Sequence, residues 1–355
     1  MNTNTTLTIG MDLGDETSEL CALNPAGEVI WRDTLVTSPA DAYEFFNDLQ
    51  DPSTTVVAME VGSHSPWLND LLAKMGFRTI VANARELRAI WGSNNKTDRH
   101  DAEKLARLAR SDERLLKPIR HRDCEDRLDL LYIKSRDGLV RVRSSLSNQI
   151  RGLVKSFGEK IPACSVEALP KTARAALPAK LKKRIGGLIT QQESLTRQIK
   201  AYDKKIEKLA DSKKYGHSVQ KLTKIQGVGK LTALAFILTI GDPKAFEKSR
   251  DIGPYLGLVP KHDKSGKSDK PLSITKAGDS GMRRLLVLSA NYIMGPFGED
   301  CDLCRHGERV AGSGSKVGRR KAKVAVARKL SVLMHRLLLS EAEYQPLFNS
   351  GRKSA

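Results

Sequence analysis

Two short apolar runs in the first 60 residues each carry a carboxylate at or near their end. The first, Leu7–Leu13, contains Asp12, and the second, Thr54–Glu60, finishes on Glu60. Apolar runs of this length are typical of buried strands. Carboxylates at the ends of buried strands supply the oxygen ligands that a divalent-metal site needs, so the two runs constrain both the fold and its chemistry.

Strands and helices alternate through the rest of this region. Ser38 before Pro39 predicts a helix start, because serine caps helix amides and proline suits the first helical position. The other elements predicted before residue 84 are strands over 19–23, 28–31 and 77–83, and helices over 39–49 and 66–75. This alternation predicts an α/β sheet with crossover connections.

A second pair of carboxylates, Asp98 and Asp101, opens an amphipathic helix over about 98–110. Residues three apart share one helical face, so the pair adds to Asp12 and Glu60. Four such ligands suit two Mg²⁺ ions about 4 Å apart, which stabilise the attacking and leaving oxygens of a phosphoryl transfer. Two alternatives stay open: acidic residues also favour helix N-termini, and Asp12-x-Gly14 also suits a nucleotide phosphate-binding hairpin.

The formal charge is unevenly distributed along the 355 residues. The whole chain carries +19, yet residues 1–60 hold eleven acidic residues and one basic residue, Arg32, a charge of −10. The other 295 residues therefore carry +29. A polyanion bound by the basic part can be presented to metals held by the acidic part, so the expected substrate is a phosphodiester. Nucleic-acid affinity without chemistry is the alternative.

No apolar run reaches the length of a membrane span, and the first residues lack a basic segment before an apolar one. We therefore expect a cytoplasmic, DNA-associated protein with no membrane partner. Five scattered cysteines disfavour a disulfide framework. Cys301 and Cys304 with His306 offer only three nearby ligands, which disfavours a structural zinc site.

Two runs of about 30 residues repeat seam residues at alternating steps of four and three, one from Leu128 to Leu153 and one from Leu181 to Leu209. This 3.5-residue period is typical of coiled coils, and each run makes roughly 45 Å of helix. An antiparallel coiled-coil hairpin over 123–214 is predicted, and two core helices of a bundle are the alternative. The polar residues at the predicted seam are Ser135, Gln149 and Gln192.

The segment Ile225–Ala233 has the glycine spacing of a helix-hairpin-helix turn. Gly227 and Gly229 allow backbone amides to approach a DNA phosphate, and Lys224 and Lys230 flank them. A plain tight turn is the alternative here, and a merely solvated face is the alternative for the basic helix predicted over 316–329. The other expected nucleic-acid contacts are Lys276, Arg283, Arg284, Arg319, Arg320 and Lys321.

Several motifs together resemble the DEDD-type transposases of bacterial insertion sequences. In the first half they are Met11-Asp12-Leu13-Gly14, Ala58-Met59-Glu60 and Lys96-Thr97-Asp98-Arg99-His100-Asp101-Ala102. In the second half, the series Gly227–Gly229, Ile240–Asp242, Tyr255–Pro260, Ser265-Gly266, Ile274–Gly278 and Arg283–Leu286 follows this family's order. The likeness covers about residues 7–300, with one departure, since Gln226 stands where the family pattern has proline.

The resemblance implies a fold in three parts. A RuvC-like, ribonuclease-H-like α/β domain is expected over 1–122, followed by the helical hairpin over 123–214. A mainly α-helical C-terminal transposase domain, which includes the helix-hairpin-helix-like turn and the basic tail, is expected over 215–355.

The resemblance also implies a chemistry. Family members are similar to recombinases guided by a bridge RNA, in which a C-terminal serine attacks DNA and forms a covalent phosphoserine. Carried onto this sequence, Asp12, Glu60, Asp98 and Asp101 bind Mg²⁺, for which Mn²⁺ could substitute. Ser265, in a polar loop over 260–280, is then the nucleophile. A serine hydroxyl needs activation at neutral pH, and Ser268 and Ser273 are nearby competitors.

The implied partners are donor and target DNA, a non-coding guide RNA, and further copies of this chain in a homodimer or homotetramer. A second hypothesis is a hydrolytic RuvC-like junction nuclease without a covalent intermediate, in which Ser265 is incidental. A third is a DNA-binding protein whose carboxylates are structural.

Overall fold

A computed structural model describes residues 5–83, 98–261, 264–265, 268–269 and 272–349. The chain divides into two compact units, Met1–Cys124 and Glu125–Ala355. Apart from residues 123 and 124, the predicted hairpin and the predicted C-terminal domain both fall in the second unit.

A mixed sheet of five strands forms the centre of the first unit. Its strands are β1 (Leu7–Leu13), β2 (Thr17–Leu23), β3 (Val29–Val36), β4 (Thr55–Glu60) and β5 (Arg78–Ala82), in the spatial order β3-β2-β1-β4-β5. The first three strands pair antiparallel, whereas β4 pairs parallel with both β1 and β5. The helices α1 (Pro39–Asn47) and α2 (Ser65–Lys74) precede β4 and β5, which confirms the predicted α/β alternation.

The two faces of the sheet are covered by different helices, because alternate strand residues point to opposite faces. In β4, Val57 and Met59 pack with residues of α1 and α2 such as Phe46, which is 1% exposed. Val56 and Ala58 instead pack against α3 (Asp98–Ser111). Strands buried on both faces read as the continuous apolar runs seen in the sequence.

Helix α3 lies directly on β1 because Gly10 has no side chain. A Cβ atom at Gly10 would stand 2.0 Å from the carbonyl oxygen of Ala102 and 2.5 Å from the amide nitrogen of Ala106. Both alanines are fully buried. The backbones of helix and strand therefore touch, and α3 is held close against β1.

Two long helices begin the second unit, α4 (Cys124–Lys155) and α6 (Ala179–Ala210), with the short helix α5 (Leu169–Ala176) between them. Gln192, which is fully buried, donates to the hydroxyl of Ser147 over 2.7 Å, and Arg143 donates to the hydroxyl of Thr196. Residue numbers rise along α4 as they fall along α6, so the two helices run antiparallel. Coiled-coil packing itself stays a prediction.

The seam on α4 differs from the predicted one. The predicted seam residues Leu128, Val142 and Leu153 are 57%, 55% and 42% exposed, and Ser135 and Gln149 are exposed as well. The buried residues of α4 are Leu130, Ile133, Ser147, Ile150 and Val154. The prediction was wrong here because α4 carries two apolar stripes of the same period, and a period alone does not say which stripe is covered. On α6 the predicted Gln192, Leu195, Ile199 and Ile206 are buried.

One apolar core organises the rest of the second unit. Its helices are α7 (Gly216–Thr223), α8 (Lys230–Ile240), α9 (Ile252–Tyr255), α10 (Ser280–Ile293), α11 (Asp302–Ala311) and α12 (Lys316–Leu339). Helix α8 is apolar on all sides and central to this core, in which Phe236, Leu330 and Met334 are fully buried. In the ranges that the structure describes, no helix is long and apolar enough to cross a bilayer.

The segment predicted as a polar loop over 260–280 contains β structure. The strands β6 (Lys264–Ser265) and β7 (Ser268–Asp269) pair antiparallel, and Pro260 forms a bridge with Ile274. The loop prediction was wrong because Lys, Ser, Gly and Asp are frequent both in loops and in turns between short exposed strands. The described residues of the segment form a hairpin, with a rising arm that includes Pro260 and Ser265 and a returning arm that includes Ser268 and Ile274.

Candidate active site and nucleic-acid interface

Asp12 and Glu60 lie at the same end of two neighbouring parallel strands. In the pairing of β1 with β4, Met11 stands opposite Met59, so Asp12 and Glu60 are the next residues along each strand. Both are partly buried. Ligands of α/β sheets bind outside the carboxyl ends of the parallel strands, which is the edge where these two acids stand.

Asp98 and Asp101 occupy the first turn of α3, the helix held on β1 by the contact at Gly10. Asp98 is exposed, whereas Asp101 is partly buried and pairs with Lys104 over 3.0 Å. Lys96 and Thr97, the first two residues of the sequence motif, lie outside the described residues.

The charges of the other three predicted acids act on Asp12. The pKa of the Asp12 carboxyl is raised to about 6, first by burial and then by the negative charges of Asp98, Asp101 and Glu60. Like charges and partial burial both disfavour the ionised form. The charges of Glu60, Asp98 and Asp101 therefore reach the Asp12 carboxyl, and a shared metal site stays a prediction.

The donor set fits a hydrated divalent cation. Carboxylate oxygens are the ligands that Mg²⁺ prefers, and this ion commonly uses one or two of them while keeping several waters. Among the described residues, no three acidic, histidine or cysteine side chains are arranged to hold one ion between them. The charge and the donor type of these acids suit a cation, but their arrangement is not a closed protein cage.

Glu19 is a fifth acid at this edge, and the sequence reasoning missed it. It stands directly opposite Asp12 in the antiparallel pairing of β1 with β2, and its charge also raises the pKa of Asp12. Its carboxylate accepts hydrogen bonds from the Thr34 hydroxyl at 2.9 Å and from Arg99 at 3.4 Å. The signal was available, because residues counted outward from the short β1–β2 turn face each other.

Ser265 belongs to the second unit and lies in β6, where Ser268 of β7 stands opposite it. The predicted nucleophile and one competitor thus occupy facing positions of one hairpin. The other competitor, Ser273, is exposed on the returning arm, and its carbonyl oxygen accepts from the Lys261 amide over 3.0 Å. Gly266 lies outside the described residues.

The base of this hairpin is closely packed. A Cβ atom at Gly257 would stand 2.1 Å from the Ala277 amide nitrogen, and Gly257 also has a left-handed φ of +67°. Arg283 donates to the carbonyl oxygens of Leu256 at 3.3 Å and of Gly278 at 3.1 Å. Arg283 therefore ties together two stretches of the family motif, while the exposed Lys276 sits between them with a φ of +57°.

The Gly-x-Gly turn joins α7 to α8, and its basic residues already have partners. Lys224 pairs with Glu343 over 2.5 Å, and Lys230 pairs with Asp211 over 2.6 Å. Gly229 caps α8, whereas Gly227 is packed against the Ser289 carbonyl of α10.

Gln226 fastens the turn to the segment after α10, since its side-chain oxygen accepts from the Glu299 amide over 2.6 Å. This contact gives a structural role to the glutamine that departs from the family pattern. Arg284, another expected nucleic-acid contact, is ion-paired with Asp137.

The predicted basic helix is α12, on which Arg319, Arg320 and Lys321 are exposed. In the described part of the chain, these three side chains make no ion pair with a carboxylate. Their charge is thus available to a ligand, in contrast to that of the turn.

Comparison with known sequences decides the family. Residues 9–158 match the DEDD transposase model of IS110 elements, and residues 219–297 match the transposase model of the IS116/IS110/IS902 family. A putative transposase, y4pF/y4sB of Sinorhizobium fredii, is 30% identical over 294 residues, which are 81% of this chain and 72% of the relative. The chain belongs to the IS110/IS116 family of DEDD-type insertion-sequence transposases.

Other relatives named as transposases are similar to this chain over most of its length. The transposase for insertion sequence element IS1111A of Coxiella burnetii is 27% identical over 296 residues, 81% of this chain and 77% of that protein. A probable family 20 transposase of Pseudomonas aeruginosa is 27% identical over 346 residues, 95% of this chain and 98% of that protein. All four carboxylates lie in the first matched segment and Ser265 lies in the second.

Proposed function

We propose that this transposase cleaves and exchanges DNA strands through a covalent phosphoserine formed by Ser265. The observation that carries the proposal is that Asp12 and Glu60 end neighbouring parallel strands, while α3, which begins with Asp98 and Asp101, packs directly on β1. Those four acids would hold Mg²⁺, which when bound stabilises the attacking and leaving oxygens of a phosphoryl transfer. The mixed strand order of the sheet supports a RuvC-like domain.

The proposed reaction conserves the phosphodiester bond energy. The Ser265 hydroxyl oxygen forms a bond to phosphorus, its proton passes to a base, and the bond from phosphorus to the departing strand oxygen breaks. A hydroxyl of another strand then attacks the phosphoserine and releases the serine. This strand joining needs no further energy source, because the phosphoserine ester replaces one phosphodiester and gives rise to another.

The proposal includes a bridge RNA that selects donor and target DNA, and a dimer or tetramer of this chain. Both rest on the family resemblance. The available charge of Arg320 and Lys321 on α12 supports a polyanionic partner.

The test is a DNA substrate with a nick beside the cleavage site, which traps the covalent intermediate. Wild-type protein is expected to give a protein–DNA adduct on a denaturing gel, and chelation of divalent ions is expected to abolish it. Ser265→Ala is expected to lose the adduct, with Ser268→Ala and Ser273→Ala as matched controls. An adduct that persists in Ser265→Ala contradicts the assignment, and nicked ends without adduct or strand exchange favour the hydrolytic alternative.

A further inference from the structure

A groove in the second unit lies along α12, between this helix, α11 and the C-terminal residues 342–349. Its volume is about 1860 Å³, roughly twice the upper size of a small-molecule pocket. Its lining includes the apolar residues Leu272 and Val310, which are 43% and 39% exposed, and the partly buried Val332. A groove of this size suits a segment of a polymer with apolar groups as well as charge.

The lining is also strongly basic, with eight Arg or Lys and three Asp or Glu. Lys321, Arg328 and Arg336 follow one another along α12, and all three are exposed. Within the described ranges, no carboxylate forms an ion pair with any of them. One of the three acids, Glu343, is engaged by Lys224, and one of the eight bases, Arg305, is engaged by Asp300. The groove still keeps an excess of positive charge for a polyanion.

The pKa of His306 is affected by the same positive charges. It lines the groove, and its pKa is lowered first by burial and then by the charges of Lys329 and Arg309. A bound phosphate would offset those two charges and raise the pKa of this imidazole.

The apolar lining favours a single strand over a duplex. A duplex presents sugars and phosphates to such a surface and leaves the apolar side chains uncovered. An unpaired strand can place its phosphates on basic residues and the faces of its bases on apolar or aromatic ones. Tyr344 and Phe348 line the groove, and Phe348 is 48% exposed, which provides a stacking surface.

The groove also adjoins the hairpin that carries Ser265. Pro260 on the rising arm and Leu272, Ser273 and Ile274 on the returning arm are part of its lining. We infer that the groove binds the unpaired DNA strand that flanks the phosphate attacked by Ser265. This inference rests on the proposed function for the identity of the strand, and it adds a binding site along α12.

The test measures binding of a fluorescent oligothymidine to the full chain by anisotropy, without divalent ions and at several salt concentrations. The variant Lys321→Gln/Arg328→Gln removes two charges seven residues apart in the groove. The control Lys316→Gln/Lys323→Gln removes two charges with the same spacing on the same helix, outside the groove lining. Thermal unfolding of both variants checks that each is folded.

The groove variant is expected to bind roughly tenfold more weakly at moderate salt, with a salt slope reduced by about 1.4, since each phosphate contact contributes about 0.7. The control is expected to bind within twofold of wild type. Phe348→Ala is expected to weaken single-strand binding and leave duplex binding unchanged. In the wild type, the pKa of His306 measured by NMR is expected to rise when the oligonucleotide binds.

Equal losses in the groove and control variants would overturn the inference. So would tighter groove binding of a duplex, or of an RNA of matched sequence. Binding and covalent chemistry are measured separately. If the wild type binds the single strand in the groove but forms no Ser265 adduct, the groove inference is kept and the proposed function is contradicted. If the adduct forms but the groove variant binds the strand as tightly as wild type, only the groove inference is contradicted.

Discussion

The charged residues at the carboxyl edge of the sheet and those at the Gly-x-Gly turn have opposite surroundings. At the edge, burial and the negative charges of four other acids, Asp98, Asp101, Glu60 and Glu19, raise the pKa of Asp12 to about 6. At the turn, Lys224 and Lys230 each lie within 2.6 Å of a carboxylate of the same chain. Both regions carry family motifs, but each lysine of the turn has its own carboxylate, whereas the nearby charges that act on Asp12 are all of its own sign.

This difference separates two meanings of a charged residue. A cluster of like charges makes folding less favourable, so it marks a place that a ligand of opposite charge completes. A paired lysine already contributes to the fold, although an exposed pair contributes little, on the order of 1 kcal/mol or less. The lysines of the turn therefore have a structural role, in contrast to the acids of the edge.

The largest expected effect is at the edge. Asp12→Asn is expected to lower the rate of DNA cleavage about a thousandfold, because metal stabilisation of the transition state is worth several kcal/mol. Asp15→Asn is a matched control, since the Asp15 side chain is 95% exposed, three residues further on. Single-turnover cleavage rates test this, and a fully active Asp12→Asn variant would place the metal site elsewhere.

A second prediction concerns the contact that assembles the edge. Gly10→Ala is expected to destabilise the protein by about 3 kcal/mol, since the added methyl group overlaps backbone atoms of α3 and cannot be relieved by a rotamer change. Gly138→Ala on α4 is the control, because a Cβ there meets no atom within 4 Å. Denaturant unfolding measures both, and equal stabilities would contradict the close approach.

A third prediction follows from the pKa of Asp12. The folded state holds this proton more tightly than the unfolded chain, in which the pKa is near 3.8. Raising the pH from about 4 to about 6 therefore costs stability, and above pH 6 the cost is constant at about 1–2 kcal/mol, because solvent screens the partly buried Asp12.

Asp12→Asn removes this cost, so the metal-free variant is expected to be more stable than wild type at pH 7.5 and equally stable near pH 3.5. Unfolding curves at the two pH values decide the matter, and a variant of lower stability at pH 7.5 would argue against charge repulsion at the edge.

The smallest effect is expected at the turn. Lys230→Gln should change DNA affinity less than threefold and stability by about 0.5 kcal/mol or less, because its exposed partner Asp211 is then solvated by water. The same substitution at Lys321 in the groove, measured alongside, is expected to have the larger effect on affinity. A strong loss of DNA binding in Lys230→Gln would show that Lys230 leaves Asp211 to bind a phosphate. The turn would then be a binding site, and the difference between the turn and the edge would not hold.

The sequence was informative where one local pattern allows one outcome. The apolar runs around Asp12 and Glu60 are buried on both faces, so their strands and their terminal acids were predictable. The seam of α4 was not, because two stripes of equal period compete for burial. Neither were the partners of the turn, since Lys224 and Glu343 are 119 residues apart and no short-range pattern joins them.

Glu19 and Arg283 fall between these cases. The position of Glu19 opposite Asp12 follows from strand pairing, so a register drawn from the short turn would have found it. The positive charge of Arg283 would suit binding to a phosphate. Only the fold shows that its guanidinium group already donates hydrogen bonds to backbone carbonyl oxygens. Charge type is visible in a sequence, whereas its neutralisation depends on three-dimensional neighbours.

The contact between α3 and β1 fixes the distance between helix and strand through backbone atoms alone. Glycine on the strand and two alanines on the helix leave no side chain whose size could alter the spacing. Substitutions in the surrounding core can then accumulate without shifting the acids that α3 delivers.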